Sequence, residues 1–154
     1  MTHDTTILWS NGSLPAAGSM VAERLLRFSD CDPSGIAFFP SYFVLLNGVV
    51  EDWWTHLGTP WTDLIGKRRI GTPTVRLDTI FAAPAMFGET LEFHLHAEDL
   101  GKSVLVLQHH VFGPDRKIRW RARQHLVATS LSTHRPTPWP DDVRQAIQQF
   151  MEMS

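Results

Sequence analysis

Residues 30–42 read Asp30-Cys31-Asp32-Pro33-Ser34-Gly35-Ile36-Ala37-Phe38-Phe39-Pro40-Ser41-Tyr42, a turn that runs into the longest apolar helical pattern of the chain. From Pro40 onward, Phe43, Leu46, Val50, Trp53, Trp54 and Leu57 recur at spacings of three and four, the period of an α-helix. Pro40 suits a first helical turn, because its missing N–H would have no partner there and its φ is already helical. A helix therefore starts near Phe39, and Gly58 ends it. Its first N–H groups lack intrahelical acceptors and carry the positive end of the helix dipole, so an anion forming just ahead of them is stabilised. Asp32 lies one short loop away.

On either side of this unit the period changes. Met20 to Phe28 is a short, patchily apolar run bounded by turn residues and reads as a first strand that delivers the chain to Asp30. Trp61 to Ile65 adds a turn of helix before the basic Lys67-Arg68-Arg69. After Gly71, Val75, Leu77, Thr79 and Phe81 alternate with Arg76 and Asp78. Further on, Leu91, Phe93, Leu95 and Ala97 alternate with Glu92, His94, His96 and Glu98, the period-two pattern of half-buried strands. Ser103 to Phe112 is a third such strand, and Gly113-Pro114-Asp115 turns the chain into a fourth, from Ile118 to about Thr133. Arg135 to Pro140 is a Pro-rich break, after which Asp141 to Met151 reads as a short amphipathic helix. Residues 1–19, without a sustained period, read as a flexible N-terminal arm, and residues 20–154 as a single domain. One strand, one long helix and four consecutive strands describe an α+β layer, an antiparallel sheet curled around a helix too apolar to stand free.

Composition sets the bounds. With 154 residues, 43% of them hydrophobic, the chain suits one sizeable core. A net charge of -2 gives no general attraction to nucleic acid or to an anionic membrane, so no nucleic-acid or membrane partner is expected. Absence of a signal-like N-terminus and of a long apolar run predicts a cytoplasmic protein. A single cysteine excludes an internal disulfide and a Cys-built metal site.

Residues 30–42 resemble the 4-hydroxybenzoyl-CoA thioesterase family of hot-dog-fold enzymes, whose pattern of Asp-x-Asp-Pro-x-Gly-Ile, two aromatics, Pro, x, Tyr they meet with conservative changes. Gly58-Thr59-Pro60-Trp61 and Gly71-Thr72-Pro73 continue the likeness. The resemblance implies a hot-dog fold, an acyl-CoA thioesterase activity that needs no cofactor, coenzyme A being part of the substrate, and an assembly that is at least a homodimer and expected to be a homotetramer. Pairing would be edge to edge, with Asp32 of one subunit facing the Gly71–Pro73 segment of the other.

A carboxylate beside a helix N-terminus can attack a thioester carbonyl or activate a water, while helix N–H groups hold the oxygen that becomes negative. Asp32 is the residue expected in that role, as nucleophile or general base. On spacing alone the favoured reading of Asp32 is a residue that only shapes an Asp-Pro turn, and it is the resemblance that reverses this toward the catalytic reading. By the same resemblance the oxyanion donor is the backbone N–H of Phe39, and Asp30 ties the loop. Gly35 lets the turn approach closely. Cys31 is read as a small buried residue rather than a nucleophile.

Phe38, Phe39 and Trp61 are candidates for an aromatic acyl pocket, whereas Trp53 and Trp54 are better explained as core. Asn47, four residues after Phe43 on the apolar side of the helix, needs partners there and could hydrogen-bond a substituent of an acyl ring. Relatives acting on a hydroxylated ring carry an acid near this position, which argues against a 4-hydroxybenzoyl substrate. Thr72 and Pro73 are expected at the substrate by resemblance, as is Lys102-Ser103, standing where the family has a basic cluster for the coenzyme A phosphates. Arg119, Arg121 and Arg123 share one strand face and are explained by a solvated surface. Glu92, His94 and His96 are likewise read as a polar outer face, with no metal expected. A non-catalytic acyl-binding module, and a thioesterase acting on acyl carrier protein or short-chain acyl-CoA, are the alternatives to an enzyme acting on a bulky or aromatic acyl-CoA.

Overall fold

The structure, a computed structural model, describes residues 18–153. Apart from Gly18 and Ser19, the expected N-terminal arm lies outside the described residues. Gly18 already donates its N–H to the Met153 carbonyl at 2.8 Å, and Ser19 opens the first strand.

Strand β1 (Ser19–Leu25) leads through a 3-10 turn at Phe28–Asp30 to helix α1 (Phe39–His56). There follow the short helix α2 (Trp61–Leu64), the two-residue strand β2 (Ile70–Gly71) and β3 (Thr74–Phe81). Beyond them come β4 (Thr90–Leu100), β5 (Val104–Phe112), β6 (Ile118–Val127), β7 (Thr129–Ser130) and α3 (Asp141–Glu152). β1, β4, β5, β6 and β3 form one sheet in that order, and each neighbouring pair is antiparallel. β1 and β3 are its edges.

Alternation explains how the sheet takes its helix. In β4, Leu91, Phe93, Leu95 and Ala97 are buried while Glu92, His94, His96 and Glu98 stay half-buried on the other face. Tyr42, Leu46, Val49, Val50, Trp53 and Trp54 of α1 pack against that apolar face with Leu105, Leu107, Val111 and Trp120. Trp53 and Trp54 are fully enclosed, Trp53 against Phe150 of α3 and Trp54 against Trp139. Truncating either to Ala would cost about 3–5 kcal/mol. These tryptophans are core.

Gly58 ends α1 as its position predicts. At φ +81° it donates to Thr55 O at 3.0 Å while Thr59 donates to Trp54 O at 3.0 Å, capping carbonyls that the helix leaves open. One expectation changes. The strand placed at Ile118 to Thr133 breaks after Val127, because Ala128 turns its N–H to Ser103 O at 2.7 Å. The chain then leaves the main sheet to pair with Ile70 and Gly71 as a separate two-stranded ladder.

Candidate active site

The turn ahead of α1 is held by its own side chains. Asp30 Oδ2 accepts the Arg27 N–H at 2.9 Å and its carbonyl accepts the Phe38 N–H at 2.9 Å. Asp32 Oδ1 accepts the Ser34 N–H at 2.8 Å and also the Ser34 hydroxyl. These bonds, the hydroxyl first and the Ser34 N–H next, stabilise the charged form and hold the Asp32 carboxyl below its usual range. Asp32 is thus an anion in the resting protein. Burial, and then the charges of Asp30 and Asp32, push the Cys31 thiol up, which disfavours a thiolate there.

Gly35 departs from expectation. A side chain built on it would meet nothing within 4 Å, so close approach is not its reason. Its φ of +79° is, since that left-handed backbone suits glycine.

Phe38 stands at the N-cap and Phe39 is the first helical residue, so the Phe39 N–H has no intrahelical acceptor. Phe39 helps to line a cleft of ≈ 300 Å³ together with Ile36, Ala37, Tyr42, Phe81 and the segment from Ala82 to Ala85. The side chains of the cleft are apolar apart from the Tyr42 hydroxyl. Tyr42 brings the one side-chain hydroxyl, pushed up to about 12 chiefly by burial, and so a neutral hydrogen-bonding group at neutral pH. Sequence reasoning gave Tyr42 and Ser34 no role, although both stand in the quoted stretch. For Ser34, an Asp followed two residues later by a hydroxyl in a Pro-containing turn was the available signal.

Within one chain the remaining candidates lie elsewhere. Asn47 is exposed, not enclosed with the apolar residues. The buried stripe of α1 runs through Leu46, Val50 and Trp53, and Asn47 falls on its flank beside Phe43. It also lies about 12 Å along the helix from Phe39. Trp61 sits in α2, beyond the opposite end of α1, half-buried against the core, and does not line the Asp32 cleft.

Thr72, Pro73, Lys102 and Ser103 come together at another place. Pro73 O accepts the Val127 N–H at 3.2 Å and Ser103 O accepts the next N–H, that of Ala128, at 2.7 Å, so both segments flank the end of β6. The Lys102 side chain is exposed. Its turn is braced from behind, Lys102 O accepting the Trp139 N–H at 3.0 Å and Gly101 O accepting Arg144 Nη2 at 2.5 Å. β3 separates the two groups, with Thr74 at one end and Phe81 of the cleft at the other. Its eight residues span about 24 Å.

The arginine stripe is also corrected. Arg119 is buried, lying 2.9 Å from Glu89 and 2.9 Å from Asp115. Arg123 makes two bonds to Glu98, at 2.8 and 2.9 Å. The reason is tertiary, since the β5–β6 turn and the loop before β4 bring Asp115 and Glu89 to Arg119, and β4 itself presents Glu98 to Arg123.

With this geometry in place, the model of the thioesterase-like superfamily matches residues 26–147. The chain belongs to this superfamily. Its member 4-hydroxybenzoyl-CoA thioesterase from Pseudomonas sp. strain CBS-3 is 29% identical over 97 residues, covering 62% of this chain and 69% of that protein. The solved structure of the same Pseudomonas protein superposes with a TM-score of 0.77 at 25% identity, covering 84% and 99% of the two chains. A gentisyl-coenzyme A thioesterase gives 0.75 at 26% identity, covering 83% and 99%. A DHNA-CoA thioesterase from Staphylococcus aureus, at 16% identity and TM-score 0.79, shares the fold while covering 85% and 89%. The curled antiparallel sheet around α1 is the hot-dog fold of this superfamily.

Proposed function

We propose that the protein hydrolyses the thioester of an aromatic or similarly bulky acyl-CoA, with Asp32 as nucleophile and the Phe39 N–H holding the carbonyl oxygen. One observation carries the reading. A carboxylate held below its usual pKa range and the unpaired first N–H of a helix flank one turn, and Phe39, which carries that N–H, lines a cleft whose side chains are apolar but for Tyr42. Attack by an Asp32 oxygen on the carbonyl carbon would expel the coenzyme A thiolate and leave an anhydride for water to cleave. A general base works best with a pKa near the working pH, and a carboxyl held below its usual range is far from that. Direct attack needs only the anion.

The same reading extends to edge pairing of two chains through β3. Two antiparallel β3 strands related by a two-fold axis would set the Phe81 end of one against the Thr74 end of the other, so Asp32 of one subunit would face Thr72 and Pro73 of its partner. That would unite two groups lying about 24 Å apart in one chain, and would cover an edge strand on which Val75 is 62% exposed.

The test is thiol release from a panel of aryl- and alkyl-CoA esters by the wild type and Asp32→Asn. Fastest turnover on aryl esters, lost in the variant, is expected. Saturable acyl-CoA binding without thiol release from any ester would replace the enzyme with an acyl-binding module. Single-turnover reaction in ¹⁸O-water labels Asp32 where water cleaves the anhydride at the Asp32 carbonyl, which a general base never shows. Trapping of an acyl-Asp32 adduct reports the nucleophile where water attacks the acyl carbon instead.

A further inference from the structure

Phe81 ends β3 on the side that faces α1, which it shares with Leu77 and Thr79. Four rings hold its own in place. Trp120, wholly buried, lies nearly parallel to it, with centroids 6.2 Å and planes 11° apart. Tyr42 tilts against it at 5.8 Å, while Phe39 and Phe43 stand across it at 76° and 83°, 6.2 and 6.4 Å away. The base of the stack is anchored in turn. Trp120 Nε1 donates to the Thr79 hydroxyl, which itself donates to Arg121 O at 2.9 Å, and the Tyr42 ring lies 4.9 Å from that of Trp120. Packing of this kind leaves a ring little freedom to turn.

Held on these sides, Phe81 is nevertheless 46% exposed, and its open part lines the same cleft as Phe39. The chain that continues from it, Ala82-Ala83-Pro84-Ala85, adds only small side chains to the lining. Ala82 and Ala83 are pinned by their N–H bonds to Arg119 O. A fixed aromatic ring and a run of small residues thus share a space of ≈ 300 Å³, enough for the acyl end of a ligand.

We infer that Phe81 is a specificity-determining residue of the acyl site: its open ring is the surface on which a planar acyl group stacks, so that the site selects an aromatic ring over a saturated ring of the same size. This rests on the thioesterase reading above. An aryl group gains the offset or edge-to-face geometry that two aromatic rings favour, whereas a saturated ring offers only apolar area. Because the Phe81 ring is already fixed by its neighbours, it has little rotamer freedom left to lose when the acyl group arrives. The Phe39 ring packs against Phe81 while the Phe39 N–H opens the helix, so the residue proposed to hold the carbonyl oxygen also touches the residue that selects the ring.

The experiment measures kcat/KM for benzoyl-CoA and cyclohexanecarbonyl-CoA with wild type, Phe81→Leu and Phe81→Tyr. Comparing the aryl-to-saturated ratio between proteins cancels the different intrinsic reactivities of the two esters. Phe81→Leu keeps an apolar side chain and removes the ring. Its ratio is expected to fall about two- to tenfold, chiefly through a higher KM for the benzoyl ester, and Phe81→Tyr should restore it to within about twofold of wild type. If Phe81 only supports the start of α1, both esters slow alike and the ratio stays put, which overturns the inference and leaves the thioesterase reading intact. Phe81→Leu that sediments as a smaller species and loses both esters together also overturns it, and assigns the open ring to contact between subunits. Calorimetric titration with the two esters separates the inference from the reading beneath it. Tighter binding of benzoyl-CoA by wild type, lost in Phe81→Leu, with no thiol release from either ester, would sink the hydrolytic reading and keep the stacking surface.

Discussion

The Arg119 guanidinium lies 2.9 Å from the Glu89 carboxylate, and this ion pair, with side chains only 8% and 17% exposed, carries the loop on which the Asp32 turn is mounted. Glu89 Oε1 accepts the Met86 N–H at 2.5 Å, Met86 bridges to Ile36, and Phe87 donates to Gly35 O at 2.9 Å. From the same loop Ala85 O accepts the Ala37 N–H at 2.9 Å, while Arg119 O accepts the N–H groups of Ala82 and Ala83 at 2.9 and 3.2 Å. Thus one buried arginine fixes both the cleft wall and the turn that holds Asp32.

Glu89→Gln should therefore act at a distance. It leaves Arg119 with Asp115 as its remaining carboxylate and loosens the Met86 tie, so a loss of about 1–3 kcal/mol of stability is expected. A fall of about tenfold or more in kcat should exceed any change in KM, since small displacements of a reacting group are costly. Gly113→Ala should mimic it, because an added Cβ would stand 2.3 Å from Arg119 Nη2. Denaturation curves alongside steady-state kinetics check both, and a variant that loses stability with kcat intact would show the pair to be structural only.

The long helix, the strands and the cap at Gly58 were legible because each is written in local chemistry: period 3.6 from Phe43 to Leu57, period 2 in β4, glycine at 58. What escaped is set by contacts distant in sequence. Arg119 looked like one of a surface stripe until Glu89, thirty residues earlier, folded over it. Asn47 looked enclosed because a helical period does not say how wide the buried stripe is. β2 and β7 hold two residues each, too few for any period to register. The Asp32–Phe39 unit was readable, being contiguous, whereas its distance from Thr72 and Lys102 depends on the length and direction of β3.

Acid should inactivate the enzyme only well below neutrality. Asp32 is held below the ordinary carboxylate range by Ser34, so the anion persists as pH falls and the acid limb of the kcat/KM profile should lie under that of a free aspartate. Ser34→Ala removes the hydroxyl bond, raises the Asp32 pKa and moves the limb to higher pH, with little change at neutral pH. A limb that does not move in Ser34→Ala would mean that another group governs it.

Stability should be lost at milder acidity than activity chemistry requires. His109 is buried on the helix-facing side of β5, its ring bonded through Nε2 to Gln124 Oε1 at 2.9 Å, and Gln124 Nε2 donates to Thr74 Oγ1 at 2.8 Å. Because that amide donates through its nitrogen, its oxygen accepts, and His109 must carry its proton on Nε2. Burial lowers the His109 pKa to about 4. Below about pH 6.5 the unfolded chain gains a proton that the folded one refuses, so stability falls as pH drops from there toward about 4, by up to about 3 kcal/mol for this ring. His110, lowered to about 4 chiefly by burial, acts in the same direction. His109→Leu/Gln124→Leu should flatten this slope in urea titrations between pH 7 and 4, while His109→Leu alone strands the Gln124 oxygen at a cost of about 1–3 kcal/mol.

The shared-site assembly makes the most demanding test, because it asks two dead proteins to make a live one. Asp32→Asn removes the proposed nucleophile and leaves the Gly71–Pro73 segment whole. Gly71→Val does the reverse, since even a Cβ at that position would meet Leu131 Cδ2 at 2.9 Å and must displace the segment that carries Thr72 and Pro73. If each site draws Asp32 from one subunit and Thr72–Pro73 from the other, a hybrid dimer holds one site with both lesions and one with neither. Random exchange of equal amounts makes half of the dimers hybrid, so about a quarter of wild-type activity should return after mixing. The return should follow the kinetics of subunit exchange, measured in parallel by mass spectrometry of labelled chains. Exchange without any recovery, or an active species that sediments as a monomer, would place the whole site within one chain.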